Sequence, residues 1–523
     1  MSNKIPKYII STIQKLEKAG FEAYIVGGCV RDLMLGTIHG EPVEPKDWDI
    51  ATNAKPEEIV KVFPDGKYEN EFGTVMVSLK YIEGIKEEEQ NGENVEITTY
   101  RIESKYSDKR HPDKVRFAKT LEEDLSRRDF TINAMAIKIQ KQEERSKNKE
   151  KSKNNFEIID LFQGQKDLEN KIIRAVGDAN ERFDEDALRM MRAVRFACQL
   201  SDKKQEEGSK NKEFWEIEEK TFEAIRKNAK NLKYISEERI RDEFNKIILS
   251  RNPSQGIELL TESKLMDQFI PEVLETIGVK QNRHHYYGPY NTVYAHMLAS
   301  LEKCPSEKLE VRLASFFHDI GKPKSKRGTG EMATFYSHEY FGARIVEKIL
   351  ERMKYPRKVI EKTVLLVKNH MFYYNVDEVG ETGVRRVIRK VGLENINDLI
   401  DVRIADRLGS GVPKAVPYKL RHFKFMVEKV SKDPISVRQL KINGNDLISD
   451  LKIQPGPKIG AILDVLLAKV IDDPKLNDKE KLLKLSKDLN KKDLNDLRVM
   501  AKKKIEEEKE EEEKLMKKKY WVE

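Results

Sequence analysis

The chain has few cysteines and no long apolar run. Only three cysteines stand far apart in 523 residues, an odd number that supplies neither a disulfide framework nor a zinc knuckle and favours a reducing compartment. No apolar stretch approaches the roughly 20 residues that a membrane span needs. The first residues also lack the apolar core of a signal peptide. We therefore expect a cytoplasmic protein with no membrane partner.

Charge, by contrast, is abundant. Charged residues make up 36% of the chain and hydrophobic residues 38%, with a net charge of +8. The basic excess is compatible with a polyanionic partner such as a nucleic acid, and equally with Lys-rich loops that have no such role. The length makes several domains the default. No pattern in the sequence indicates an oligomeric state.

Hydrophobic patterning divides the chain into segments and predicts an α+β fold. The first segment mixes strand and helix patterns, and the later ones are helical. Two low-complexity inserts, Lys141 to Asn155 and Ser201 to Lys212, are expected to be solvated loops. The run from Lys502 to Lys519 is almost entirely Lys and Glu, and it fits either a solvated helix or a frayed tail. The predicted segments are 1–172, 173–280, 281–428 and 429–523.

A pair of carboxylates, Asp47 and Asp49, carries the strongest chemical signal. A strand from Trp48 to Ile50 would turn residues two apart to the same side of a sheet. Two acidic side chains there can bind divalent ions that clamp the attacking and leaving oxygens of a phosphoryl transfer. Upstream, the predicted strand Tyr24 to Val26 ends in Gly27-Gly28, where backbone N–H groups can approach a phosphate. Together these features predict a nucleoside triphosphate with its metal ions.

Two groups downstream extend this site. Glu96 is the acidic residue of an otherwise uncharged strand pattern, so it is either a third carboxylate of the site or an edge residue that faces water. A second group combines guanidiniums, which suit phosphates, with a carboxylate and an amide, which suit ribose hydroxyls. Its members are Arg127, Arg128, Asp129 and Asn133.

Four motifs follow one another in a fixed order, Gly27-Gly28-x-x-Arg31-Asp32, Asp47-x-Asp49, Arg127-Arg128-Asp129-x-x-x-Asn133-Ala134 and Glu185-Asp186-x-x-Arg189. The ordered set closely resembles the class II CCA-adding tRNA nucleotidyltransferases and their bacterial poly(A) polymerase relatives. The resemblance implies a polymerase-β-type nucleotidyltransferase head, an all-α neck and body, and a helical tail. It also implies CTP and ATP as substrates, tRNA as partner and two Mg²⁺ ions at the catalytic residues Asp47, Asp49 and Glu96. The implied nucleotide-binding residues are Gly27, Gly28, Arg31, Asp32, Arg127, Arg128, Asp129, Asn133, Asp186, Arg189, Arg192 and Arg195.

Asp186 and Arg189 are predicted to read the base. Three residues apart at the start of a predicted helix, they would share one face. A carboxylate accepts from an exocyclic amine, and a guanidinium donates to a ring nitrogen or carbonyl. Cytosine and adenine offer an amine beside an acceptor, whereas uracil and guanine place a carbonyl where the amine would be. Arg192 is expected nearer the triphosphate, and Arg195 is expected to be structural or peripheral, although the resemblance extends over it.

Three further stretches match the same family. The segment Arg101 to Val115 resembles its flexible loop, which favours addition of the terminal A. A helix predicted after Ser236, with Arg239 in its first turn, is interpreted as structural support of the neck. Glycine turns near Gly444 and Gly456 match the tail, where they either grip the tRNA backbone or simply join two helices.

Histidines characterise the third segment. His318-Asp319 follows an apolar run, with His296 upstream and Asp406 downstream, a mixed nitrogen and oxygen set suited to a divalent transition metal. The arrangement resembles the HD superfamily of metal-dependent phosphohydrolases. The resemblance implies one metal held by those four residues, with a second metal or a substrate phosphate at His338 and His370. Metal-bound hydroxide would attack a phosphoester, here a phosphate or 2′,3′-cyclic phosphate at an RNA end.

The sequence therefore predicts template-independent addition or repair of the tRNA 3′-terminal CCA, with a possible phosphohydrolase on the same chain. An A-adding enzyme or a poly(A) polymerase has overlapping motifs and stays open. An HD phosphohydrolase whose head only binds RNA is an alternative of another class, against which the intact Asp47, Asp49 and Arg128 argue. A purely structural RNA-binding protein would not need paired carboxylates beside a glycine turn.

Overall fold

The computed structural model describes residues 5–38, 45, 47–68, 73–78, 94–104, 114–140, 155–201, 214–281, 292–329, 333–412, 414–431, 437 and 440–522. The chain forms two compact units, Met1–Lys368 with Leu408–Gly411, and Asn369–Arg407 with Val412–Glu523. Within the ranges given above, no helix combines the length and the apolar character that crossing a membrane requires.

The first unit starts with a mixed β-sheet. The strands of the unit are β1 (Ala23–Val26), β2 (Asp49–Thr52), β3 (Lys67–Tyr68), β4 (Thr74–Ser78), β5 (Asn94–Thr99), β6 (Arg101–Ser104), β7 (Lys114–Phe117), β8 (Met135–Gln140), β9 (Asn155–Asp160), β10 (Ile172–Ile173) and β11 (Glu216–Ile217). Seven of them form one sheet in the order β3-β4-β5-β2-β1-β8-β9. Strands β2 and β5 run parallel, and the other neighbours in this sheet run antiparallel.

The sheet is held by apolar residues from its central strands. All four residues of β1 are buried, as expected for a strand covered on both faces. Tyr24 and Val26 pack in one cluster with Ala136 of β8 and Leu125. Because β1 and β2 lie in the middle of the sheet, their ends are fixed from both sides, and the residues that follow them are positioned firmly.

Helices make up most of the rest of the first unit. They are α1 (Lys7–Lys18), α2 (Gly28–Ile38), α3 (Pro56–Val62), α4 (Leu121–Ser126), α5 (Gly164–Glu169), α6 (Ala179–Glu185), α7 (Leu188–Leu200), α8 (Glu219–Asn228), α9 (Glu237–Ile248), α10 (Pro253–Glu262), α11 (Met266–Phe269), α12 (Val293–Glu302), α13 (Leu309–Phe317), α14 (Lys322–Ser325), α15 (His338–Arg352) and α16 (Arg357–Asn369), whose last residue belongs to the second unit.

The second unit is helical throughout its described residues. Its helices are α17 (Glu381–Val391), α18 (Ile396–Gly409), whose end returns to the first unit, α19 (Tyr418–Ser431), α20 (Gly444–Leu451), α21 (Pro457–Asp472), α22 (Lys479–Leu489) and α23 (Leu494–Tyr520). An apolar cluster joins α20 to α23, with Leu447, Leu466 and Leu482 fully buried. The Lys/Glu-rich run lies in α23, where Lys429 of α19 pairs with Glu513 at 2.6 Å. Of the two predicted alternatives for this run, the helix is confirmed.

The predicted α+β class is confirmed, with local differences. Residues Thr131–Asn133 form a 3₁₀ turn before β8. The neck, predicted to be all-α, contains the short parallel pair β10 and β11. In the tail, a Cβ on Gly444 would lie 3.3 Å from Ile459, and the Asn443 side chain accepts the backbone N–H of Asn445 and Asp446. This packing supports a helix–helix turn, and phosphate binding there stays a prediction. Most of the two inserts (141–154 and 202–213) lies outside the described residues.

Candidate active site and candidate metal centre

The turn after β1 brings a backbone close to two charged side chains. Gly27 has a φ of +84°. A Cβ at this position would lie 2.9 Å from Arg128 Nη1 and 3.3 Å from Asp49 Oδ2. Both the left-handed backbone and the lack of space therefore require glycine. The strand followed by a glycine turn is as the motif predicted, and the turn joins β1 to α2 with Asp49 and Arg128 on either side of Gly27.

Asp49 is the first residue of β2, next to Glu96 of β5. It pairs with Val26 on one side and, in the parallel register, with Glu96 on the other. Strand β2 starts one residue later than predicted, and Asp47 lies two residues before it, so strand alternation does not decide where Asp47 points. The three carboxylates of the predicted metal site do not gather within 4.8 Å of one another.

The charge of Asp49 is only partly compensated. Burial raises the pKa of this carboxyl, Arg128 opposes the rise, and the charge of Asp47 adds to it. Asp47 itself is exposed. Asp47 is close enough to raise the pKa of Asp49, and carboxylate oxygens of this kind suit Mg²⁺. The donor set thus fits the predicted metal, with Asp49 as its partly buried member.

Asp129 lies at the centre of a buried network. Its carboxylate accepts hydrogen bonds from Arg192 at 2.6 Å and Asn133 at 3.1 Å. Burial raises its pKa, but Arg192 and the Asn133 hydrogen bond outweigh burial and lower the pKa to about 2. Asn133 in turn accepts from Arg31 Nη1 at 2.8 Å, and Arg31 also pairs with Asp32. Because Asp129 and Asn133 are engaged within the protein, their predicted contact with ribose stays a prediction.

Three guanidiniums surround the ring of Phe196. Arg31, Arg192 and Arg195 lie 5.2, 5.4 and 4.3 Å from its centroid. Arg195 is buried beside Glu243, with 3.2 Å between the charged atoms, and burial lowers its pKa to about 10. The side chain of Arg192 keeps 35% of its surface exposed. The cluster places cationic charge near the predicted triphosphate site. Within it, Arg195 is buried against Glu243, and Arg192 is the more exposed.

Asp186 and Arg189 do not form the pair that their spacing predicted. Helix α6 ends at Glu185, and Asp186 has the extended values φ −137° and ψ 104° before α7 begins at Leu188. The Asp186 carboxylate accepts the Leu188 N–H at 2.9 Å and pairs with Arg239 at 2.8 Å. The prediction of one helix face shared by Asp186 and Arg189 was therefore wrong, because the chain leaves the helix between α6 and α7.

Arg189 is bound by other partners. It pairs with Glu185 at 2.6 Å and donates to the carbonyl of Arg127 at 3.0 Å. It is 8% exposed. Arg127 itself pairs with Asp124 at 2.8 Å. Sequence reasoning missed Arg239 as the partner of Asp186. The sequence did signal the break between α6 and α7, since Asp is a residue type that caps helix N-termini and the Asp186 side chain accepts the Leu188 N–H in the first turn of α7.

A second set of side chains meets in the helical part of the first unit, formed by His296, His318, Asp319 and His338 and called the histidine cluster below. His296 Nε2 and His318 Nε2 lie 3.0 Å apart, and each is 3.3 Å from Asp319 Oδ2. His338 Nε2 is 3.2 Å from Asp319 Oδ1. All four residues are buried. Nitrogen and carboxylate donors at this spacing suit a divalent transition metal.

Backbone carbonyls orient two of the histidine rings. His318 Nδ1 lies 2.9 Å from the carbonyl of Ser315, and His338 Nδ1 lies 2.8 Å from that of Phe335. A carbonyl only accepts, so each Nδ1 carries a proton, and Nε2 is the ring nitrogen that faces the cluster. Metal-ligating histidines use the same arrangement, in which the ring nitrogen that does not bind the metal donates to a carbonyl or carboxylate.

The Asp319 carboxylate is strongly held in its ionised form. Burial raises its pKa, but His318 and Lys322 outweigh burial and bring the pKa well below its usual value. Lys322 Nζ lies 2.6 Å from Asp319 Oδ2. Of the other two predicted ligands, His370 is buried at the end of α16 and Asp406 lies on α18, paired with Arg403 at 2.7 Å.

Known protein families match three parts of the chain. The Poly A polymerase head domain matches residues 23–174. A probable RNA- and SrmB-binding site of polymerase A matches residues 215–276, and the HD domain matches residues 292–410.

Individual relatives extend this similarity over almost the whole chain. The CCA-adding enzyme of Ligilactobacillus salivarius is 33% identical over 486 residues, 92% of this chain and 96% of that protein. The CCA-adding enzyme of Pediococcus pentosaceus is 46% identical over 256 residues, about half of each chain at 49% and 53%. Among solved structures, the Bacillus stearothermophilus CCA-adding enzyme in complex with CTP aligns with a TM-score of 0.52 and 26% identity, covering 93% of this chain and 97% of that one.

Proposed function

The chain belongs to the family of CCA-adding enzymes, and we propose on that basis that it builds and repairs the 3′-terminal CCA of tRNA from CTP and ATP. It is a nucleotidyltransferase with a Poly A polymerase head. The observation that carries the proposal is the meeting of Asp49 and Arg128 around Gly27 at the end of β1. Three groups lie together there: a carboxylate that can bind a metal ion, a guanidinium that can bind a phosphate, and the backbone of a glycine.

The residues of the head have different proposed roles in nucleotidyl transfer. Asp49 and Asp47 would hold Mg²⁺, which when bound activates the attacking hydroxyl and stabilises the leaving oxygen. Arg128 and the exposed part of Arg192 would bind the triphosphate, since guanidiniums match phosphate oxygens. Glu96 lies beside Asp49 on the next strand and is the third proposed carboxylate.

Asp186 is the proposed base reader. Arg239 and the Leu188 N–H fix the direction of its two oxygens. Each carboxylate oxygen has a second lone pair, so the group still accepts the amine of cytosine or adenine. A uracil or guanine carbonyl at the same place would repel it. Base recognition by Arg189 requires that its guanidinium turn from Glu185 toward the nucleotide.

One assay tests the proposed activity. The protein is incubated with tRNAs that lack the whole CCA, end in its first C, end in CC or are complete, with CTP and ATP supplied separately and together. We expect both nucleotides together to complete CCA on every shortened tRNA and to add nothing to the complete one. Addition of A to the CC-ended tRNA alone would replace this proposal with an A-adding enzyme. A long A tail on unrelated RNA would replace it with a poly(A) polymerase.

The histidine cluster favours a second activity. Its Nε2 atoms and the Asp319 carboxylate meet within 3.0–3.3 Å. We propose that they hold a divalent transition metal, with His370 and Asp406 as the further ligands that the HD resemblance implies. The metal, when bound, supplies a hydroxide for attack on a phosphoester. The proposed substrates are RNA ends with a phosphate or a 2′,3′-cyclic phosphate, so that trimming would precede CCA addition. Hydrolysis of such ends with added Mn²⁺, Co²⁺ or Ni²⁺, and its loss with a chelator, tests this activity.

A further inference from the structure

Three large aromatic side chains are exposed beside the histidine cluster. Tyr336, Tyr340 and Phe341, called the aromatic patch below, are 75%, 45% and 42% exposed. All three lie within six consecutive residues that also contain His338. Aromatic side chains bury most of their surface in folded proteins, and a concentration of them on the outside marks a place where something binds.

The aromatic patch borders the cluster through the backbone. Ser337 has a φ of +62°, and α15 begins at the next residue. The N–H groups of Tyr340 and Phe341 donate to the carbonyl of Ser337 at 3.1 and 3.3 Å, which fixes this first turn. Each aromatic residue is two or three positions from His338, so its Cα lies within about 8 Å of the His338 Cα. His338 itself turns inward to Asp319.

Positive charge accompanies the rings. Lys368 Nζ lies 5.8 Å from the centroid of Tyr340. Arg344, exposed one turn after Tyr340 on the same helix face, has no ion-pair partner within the described part of the chain. The acidic residues of that face, Glu347 and Glu351, lie farther along α15 from His338. Exposed rings next to cationic side chains are the usual composition of sites that bind single-stranded nucleic acid.

We propose that the aromatic patch stacks the terminal bases of a single-stranded RNA 3′ end whose phosphate reaches the histidine cluster. The inference rests on the proposed phosphohydrolase function of that cluster. The substrate would be an RNA end and not a free phosphate, because a phosphate without a base makes no stacking contact with the rings. Stacking uses the face of any base, which suits a site that must accept ends of different sequence. Lys368 and Arg344 would attract the phosphates that precede the terminal one.

A fluorescent reporter tests binding without turnover. In the full-length Y336W variant, a short single-stranded RNA with a 3′-phosphate should quench the added indole emission when no divalent metal is supplied. The same titration of the unaltered chain, whose Trp521 is 78% exposed, measures the background. Adding Y340A and F341A to Y336W should raise the Kd about 10-fold or more, the effect of losing one stacked base. No quenching, or an unchanged Kd, would overturn the proposal.

A kinetic comparison separates stacking from a general loss of structure. With Mn²⁺, Y340A and F341A should raise KM about 10-fold for an RNA ending in a 2′,3′-cyclic phosphate. They should leave KM for glycerol 1,2-cyclic phosphate, which has no base, unchanged. Y340F should behave as the unaltered chain, and W521A, which removes an exposed ring elsewhere, should have no effect. Equal changes for both substrates would overturn the proposal. If the unaltered chain hydrolyses neither substrate, the phosphohydrolase function fails, while the reporter still decides whether the patch binds RNA.

Discussion

The head site and the histidine cluster each contain a carboxylate, partly buried at Asp49 and fully buried at Asp319, and the surroundings shift the two pKa values in opposite directions. Burial and Asp47 raise the pKa of Asp49 against a single opposing guanidinium. At Asp319, the neighbouring histidine and Lys322 overcome burial and lower the pKa. The ionised form of Asp49 is therefore disfavoured by its surroundings, whereas the ionised form of Asp319 is stabilised by charged groups of the protein.

This difference indicates how each site would use metal. A site whose carboxylate is disfavoured as an anion would be completed by cations that arrive with a nucleotide, because the triphosphate brings its own Mg²⁺. A buried cluster with fixed histidine rings would instead keep one ion through many turnovers. The two sites should consequently respond differently to the same kind of substitution, and the following predictions range from the largest expected effect to the smallest.

The largest effect is expected at Asp49. Asp49→Ala should lower CMP and AMP incorporation about 10³-fold or more, because metal stabilisation of a phosphoryl transfer is worth several kcal/mol. Asp47→Ala should act in the same direction. Incorporation of radiolabelled CTP into tRNA that lacks CCA measures the effect, and the content of tightly bound transition metal should not change. Full incorporation by either variant would refute the metal-binding role of the pair.

The reverse result is expected at the histidine cluster. His318→Ala should remove a ligand and lower the affinity for a bound transition metal by at least about 100-fold, since even outer partners of such ligands contribute 10–100-fold. Metal content after dialysis, measured by mass spectrometry, checks this loss. His422→Ala is the matched control, because His422 is a partly buried histidine that hydrogen-bonds Tyr374 and belongs to no predicted metal site. Incorporation of CTP should stay unchanged in both variants. Equal metal content in His318→Ala and the control would contradict the metal assignment.

Two carboxylates of the head should respond oppositely to the same change. The pKa of Asp129 is lowered to about 2, so its ionised form stabilises the fold at pH values above about 4. Asp129→Asn should therefore cost about 2 kcal/mol at pH 7, and the cost should shrink as the pH falls from about 4 towards 2. The pKa of Asp49 is raised, so its charge opposes folding at neutral pH. Asp49→Asn should leave the melting temperature equal or higher, although it removes activity.

Thermal unfolding at pH 7 and at about pH 3, inside the range in which the stabilisation is lost, measures both variants against the unaltered chain. Asp129→Asn should lower the melting temperature by several degrees at pH 7 and by less at about pH 3. A fall of the same size in Asp49→Asn would mean that the two carboxylates do not differ as their surroundings indicate.

Features that depend on neighbouring residues could be predicted from the sequence, whereas contacts between distant residues could not. Local patterns were sufficient to predict the glycine turn at Gly27, because φ depends on neighbouring residues. The order of the motifs along the chain could likewise be taken directly from the sequence. Pairings across the fold were not predictable in this way. Asp129 meets Arg192, which is 63 positions away, and Asp186 meets Arg239, which is 53 away. The rule that residues three apart share a helix face gave a wrong prediction for Asp186, because Asp186 lies between two helices and not within one.

The smallest predicted effect concerns the ion pair between Asp186 and Arg239. Arg239 bonds Asp186 at 2.8 Å in a charge-assisted contact that fixes the carboxylate, so it acts as a positioning residue for base selection. Arg239→Ala should reduce the preference for CTP over UTP about 10-fold, the effect of about 1.4 kcal/mol of discrimination. The rate with CTP should fall less than the preference does, and Arg239→Lys should restore part of the preference. Arg241→Ala changes a neighbouring arginine that bonds the Lys354 carbonyl and Asp242, and it should leave selectivity intact. If Arg239→Ala lowers stability but keeps the preference for CTP, Arg239 supports the neck alone, and base selection does not depend on this ion pair.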